Sequence, residues 1–132
     1  MPATVLIVED EIFVAADLEA TVAELGYEPI GIAQDQATAL ALATQRPDIA
    51  FVDANLRDGP TGPDIRRRLS EAGIAVVFVT ANPRQLGNGV PGAIGVLTKP
   101  IGPDLVEAAL SYVMGRLRGA AAPPPAALSA FA

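Results

Sequence analysis

The sequence predicts an α/β domain: a five-stranded parallel sheet with helices on both faces. Three observations carry that reading. Five short apolar runs alternate with stretches whose apolar residues recur at helical spacing, the alternation that builds parallel sheets through right-handed crossovers. The 132 residues suit one domain with a real core and are too few for two. With 51% of residues apolar and 18% charged, the balance is globular and excludes a chain disordered by high net charge.

Each element has a local reason. Thr4 to Val8 is a β-branched run that stops abruptly at Glu9-Asp10-Glu11, as a buried strand does at a polar rim. From Ile12 to Leu25, Ala15, Leu18, Val22 and Leu25 recur at helical spacing, and Gly26 terminates the helix. Glu28 to Ile32 is the second strand. The Ala-rich stretch Gln36 to Gln45 is the second helix, closed by Arg46-Pro47 because proline disfavours a helical residue before it. Ile49 to Val52 is the third strand. Asp53 to Pro63, rich in Asp, Gly, Asn and Pro, reads as a loop, followed by a helix over Asp64 to Glu71 that ends at Gly73.

Ile74 to Val79 is the most apolar strand and so belongs at the centre of the sheet. The glycines and prolines of Ala81 to Gly92 predict a fourth helix that is short or irregular. Ala93 to Leu97 is the fifth strand. Asp104 to Arg118 is amphipathic, with Leu105, Ala109, Tyr112, Val113 and Leu117 on one side. Residues 1–118 thus form the domain. Residues 119–132, Ala-rich and interrupted by Pro123-Pro124-Pro125, read as a flexible tail.

Composition narrows the chemistry. The chain has no cysteine and no histidine, which removes disulfides, thiolate and imidazole metal sites, Ser-His-Asp triads and cysteine nucleophiles. Carboxylates, hydroxyls and lysine remain. A net charge of −6 argues against a nucleic-acid surface, and the basic run Arg66-Arg67-Arg68 reads as an exposed helix face. The N-terminal apolar run carries no basic leader and is broken by acids well short of a membrane span. A cytoplasmic protein with neither nucleic-acid nor membrane partners is expected.

Ligands of parallel sheets bind at the carboxyl ends of the strands. Those ends carry Glu9 and Asp10 after the first strand, Asp53 after the third, Thr80 after the fourth and Lys99-Pro100 after the fifth. Taken singly, each has an ordinary structural explanation as a helix start, a turn, a strand residue or a surface charge. Together they form a set that acyl-phosphate chemistry needs. Clustered carboxylates repel, and a hard divalent cation bound through oxygen relieves them; magnesium also neutralises phosphoryl oxygens during transfer. Asp53 is the candidate nucleophile. Lys99 can pair with Asp53 or with a phosphoryl oxygen, and the Thr80 hydroxyl can donate to another.

The fragments Val5-Leu6-Ile7-Val8-Glu9-Asp10-Glu11, Phe51-Val52-Asp53-Ala54-Asn55-Leu56, Val77-Phe78-Val79-Thr80-Ala81 and Leu97-Thr98-Lys99-Pro100, in this order, resemble the receiver domain of two-component response regulators. The resemblance covers about residues 4 to 118. It implies a flavodoxin-like sheet of order 2-1-3-4-5 and a single-domain, stand-alone response regulator, phosphorylated on Asp53 by a sensor histidine kinase with Mg2+. It further implies that Asp10 binds the metal directly, Glu9 acts largely through water, and the backbone carbonyl of Asn55 completes the protein ligands. Thr80 and Lys99 would sense the phosphoryl group, and the Lys99-Pro100 bond would be cis. Ala81 would leave room for the donor, and Asn55 and Asn82 would flank the attacking water. Such a protein turns over no separate substrate: it signals through a downstream protein or serves as a sink in a phosphorelay.

Two departures stand out from the resemblance. Val96 occupies the place where many receivers carry Tyr or Phe, which argues against a rotating aromatic switch. Residues 83 to 92 are poor helix sequence, so ordering of this segment on phosphorylation is the expected readout. A haloacid-dehalogenase-like phosphohydrolase is the enzyme alternative, but Asn55 stands where its general acid belongs. A phosphorylation-independent pseudo-receiver is the other, against which the intact acidic set weighs. The fragments Asp53 to Gly59 and Val79 to Pro83 are similar to stand-alone receivers that work with HWE-family kinases.

Overall fold

The computed structural model describes residues 3–53, 62–81, 93–119 and 128–130. Six strands, β1 (Thr4–Val8), β2 (Glu28–Ala33), β3 (Ile49–Asp53), β4 (Ala75–Thr80), β5 (Ala93–Thr98) and β6 (Leu128–Ala130), form one sheet of order β2-β1-β3-β4-β5-β6. The first five run parallel in the expected order 2-1-3-4-5. Helices α1 (Ile12–Glu24), α2 (Gln36–Ala43), α3 (Gly62–Glu71) and α4 (Pro103–Leu117) cover its two faces. Among the described residues no helix is long and apolar enough to cross a membrane.

Strand alternation sorts the core into two halves. Val5, Ile7, Phe51, Val77, Val79 and Leu97 point to the face covered by α1 and α4, where Leu18, Val22, Val106 and Leu110 meet them. Leu6, Val8, Val52, Val76, Phe78 and Val96 point to the other, under Ala39, Ala43, Ile65 and Leu69 of α2 and α3. Because both faces are buried, the strands read as continuous apolar runs, which is why the sequence exposes them so plainly.

Helix ends follow local chemistry. Gly26 and Gly73 adopt φ of +92° and +83°, the left-handed turn that stops α1 and α3. The Asp35 carboxylate accepts the Thr38 amide at 2.8 Å and caps α2. Arg46 sits at φ +54°, turning the chain out of the helical path one residue before Pro47.

Two differences from the sequence reading matter. The third, fourth and fifth strands each run one residue further than the sequence predicts, so Asp53, expected to open a loop, ends β3 as Thr80 ends β4 and Thr98 ends β5, each paired in the ladder. And part of the stretch read as a flexible tail, Leu128–Ala130, pairs antiparallel with β5. The edge of β5 supplies the order that its own short sequence does not signal.

Candidate functional site

The carboxyl ends of β1, β3, β4 and β5 converge. Asp53 pairs in register with Val79, and Thr80 with Thr98, so Asp53, Thr80 and Lys99 emerge on one edge of the sheet. Glu9 follows β1 directly, its amide donating to the Ala33 carbonyl at 2.8 Å. One carboxylate oxygen from each of Glu9, Asp10 and Asp53 lies within 4.8 Å of the others. Glu9, Asp53 and Thr80 are buried, while Asp10 is half-buried.

Lys99 ties this cluster together. Its Nζ lies 2.6 Å from Glu9 Oε1 and 3.2 Å from Asp53 Oδ2. The backbone amide of Lys99 donates to the Thr80 carbonyl at 2.8 Å, and the Lys99-Pro100 bond is cis, as expected. The second Glu9 oxygen, Oε2, accepts the Glu11 amide at 3.2 Å. Burial lowers the affinity of the ammonium for its proton, but Glu9 and Asp53 outweigh that and raise the Lys99 pKa. Glu9 is pushed from 4.5 to about 7, first by burial and then by the neighbouring Asp53 carboxyl, against the pull of Lys99.

That shift sets a pH dependence. Glu9 binds its proton more tightly folded than unfolded, so the stability it contributes is fully present below about 4.5 and is lost as pH rises through about 7. The metal-free chain is therefore expected to lose on the order of 2 kcal/mol between these limits. Urea melts from pH 4.5 to 8 test this, and Glu9→Gln should flatten the profile. A wild-type profile already flat would remove Glu9 as the cause.

Three clustered carboxylates on rigid strand ends suit a hard divalent cation with oxygen ligands. Beside them an open groove of about 620 Å³ runs between α1 and α4, lined by Phe13, Leu18, Pro100, Ile101 and Val106. Phe13 is 88% exposed there. Phe13 falls off the core stripe Ala15, Leu18, Val22 at the start of α1, and that offset is the one signal in the sequence that marks it as outward-facing. Sequence offers Lys99 either Asp53 or a phosphoryl oxygen as partner, and the shorter bond to Glu9 is not among them, because no local pattern links residues so far apart in the chain. Asn55, Asn82 and the segment 83 to 92 lie outside the described residues. Val96 is buried against Phe78 in the core.

The model of the response regulator receiver domain matches residues 5–111. This chain belongs to the receiver domain family. Phyllosphere-induced regulator PhyR of Methylorubrum extorquens is 35% identical over 118 residues, covering 86% of this receiver and 44% of that protein. The response regulator PhyR from Brucella abortus superposes with a TM-score of 0.77 at 34% identity, over 90% of this chain and 50% of that one. The receiver domain of Erythrobacter litoralis PhyR gives 0.77 at 28% identity, over 94% and 96%. The receiver thus spans about half the length of the longer relatives it matches. Membership of this family makes it a signalling protein.

Proposed function

We propose that the receiver accepts a phosphoryl group on Asp53 from the phosphohistidine of a sensor histidine kinase. The observation that carries this reading is the Lys99 ammonium lying between Glu9 and Asp53, beside three carboxylates grouped at the strand ends. A carboxylate oxygen of Asp53 forms the new P–O bond as the donor's P–N bond breaks, and the departing imidazole nitrogen takes up a proton. Lys99 then exchanges one carboxylate partner for a phosphoryl oxygen, and the Thr80 hydroxyl donates to another. Glu9, Asp10 and Asp53, with the Asn55 carbonyl, would hold Mg2+, which supplies charge neutralisation for the transferring group.

Intact mass spectrometry after acetyl phosphate and magnesium tests it. One alkali-labile phosphoryl adduct is expected, absent in Asp53→Asn. No adduct would leave a receiver that works without phosphorylation, and turnover of small phosphate esters would point to a hydrolase instead.

The exposed Phe13 beside the site suits a kinase helix presenting its histidine, since buried aromatic anchors dominate such contacts. Phe13→Ala is expected to slow phosphotransfer from the cognate kinase at least about tenfold while changing stability by less than about 0.5 kcal/mol. Labelling by acetyl phosphate should not change; equal slowing with both donors would mean damage to the site itself. HWE-family kinases are the first class to test, on the wording of the fragments around Asp53 and Thr80, and a cytoplasmic location accompanies that pairing. Output passes to a downstream protein, or the receiver drains phosphate from a relay. Transfer back to the kinase or onward to a phosphotransfer protein distinguishes the two.

A further inference from the structure

The two edges of the parallel sheet are protected in different ways. Along β2 the chain carries an exposed glutamate at 28, a proline at 29 and a register break opposite Val5/Leu6, three devices that keep foreign strands from pairing. The run Gly95-Val96-Leu97-Thr98 has none of them. It contains no proline and no charge, and its one irregularity, opposite Val76/Val77, comes before it on the side of β4. What covers its outer edge is Leu128–Ala130, with Gly95 opposite Ala130, Val96 opposite Ser129 and Leu97 opposite Leu128.

The direction of that cover is informative. Every other pairing in the sheet is parallel, whereas β6 is antiparallel to β5. Antiparallel is the direction in which β5 of a second copy would arrive across a two-fold axis normal to the sheet, because that rotation reverses the strand and joins the two sheets edge to edge. The tail strand supplies the hydrogen bonds that a symmetric neighbour would supply. Only three residues make the pairing, so it is held by few bonds and can be displaced.

We propose that the outer edge of β5 is a strand-docking surface, occupied in cis by residues 128–130, and that when this strand leaves, the edge pairs with the same edge of a second copy. The tail acts as an intramolecular competitor of dimer formation, and the dimer carries a sheet continuous through two β5 strands.

Sedimentation velocity on the full chain and on a chain ending at Gly119 tests this, with far-UV circular dichroism to confirm that both fold. Truncation should tighten self-association by about tenfold, the factor that one to two net hydrogen bonds of competition provide. Ser129→Pro, which keeps the length but removes a donor from β6, should act in the same direction. A synthetic peptide of residues 126–132 should reverse both effects. In dilute samples, amide exchange at residues 95–97 should be faster in both variants than in the full chain. Self-association equal in all three proteins would overturn the proposal, as would a full-length dimer in which residues 95–97 and 128–130 keep their protection.

Discussion

Lys99→Met is expected to cost the metal-free receiver about 3 kcal/mol at pH 8, the low end of the range for removing one partner of a buried ion pair. The low end applies because the Lys99 side chain keeps 18% of its surface in water, although Glu9 and Asp53 keep only 5% and 9%. Without the ammonium two buried carboxylates face each other with their mutual repulsion unrelieved. Methionine retains most of the aliphatic stem, so packing contributes little to the loss. Two conditions should restore stability. At pH 5 Glu9, with its pKa pushed up to about 7, is protonated and the repulsion disappears. Saturating magnesium should do the same by taking the place of the lost charge, and Lys99→Met should bind magnesium more tightly than the wild type because the ammonium no longer competes. Urea denaturation at both pH values, with and without magnesium, decides the matter. A loss that is equal under all four conditions would mean that Lys99 matters only as a spacer.

The parts of this molecule that were legible in the sequence are those where local and global demands coincide. Leu6 to Val8 and Val76 to Val79 are buried on both sheet faces, so nothing polar interrupts them, and the first polar residue past each run marks the strand end where the site lies. Gly26 and Gly73 marked helix ends because their positive φ values suit no other residue as well. Legibility fails where the deciding partner is distant in sequence. The order in Leu128-Ser129-Ala130 comes from the uncovered edge of β5, and no propensity of the three residues foretells it. Equally, a glutamate at 9 and a lysine at 99 carry no mark that they will meet at 2.6 Å; only the strand order brings them together. The exact position of Asp53 was missed by one step, because a residue common in turns ends the strand ladder here and is anchored by it.

Phe78→Ala is expected to be more costly than any change at the site, about 3–5 kcal/mol. Phe78 is fully buried on β4, in register between Val52 and Val96, under Ile65 and Leu69 of α3. Truncation removes its transfer free energy and leaves a cavity that strands hydrogen-bonded on both sides cannot close by moving together. Domains of this size have roughly 5–15 kcal/mol in total and shift by roughly 3–5 °C per kcal/mol, so the melting temperature should fall by roughly 10–20 °C. Thr80 lies two residues further along the same strand on the same face, so part of the loss should appear as looser positioning of the hydroxyl assigned to the phosphoryl group. Phe78→Leu, which keeps most of the volume, should recover most of the stability and separate the two effects. Calorimetry on both variants measures the first. Adduct lifetime on Asp53, taken well below the melting transition, measures the second. A loss of under about 1.5 kcal/mol for Phe78→Ala would mean that α3 settles into the space, and β4 would then be a less rigid support for Thr80 than its burial implies.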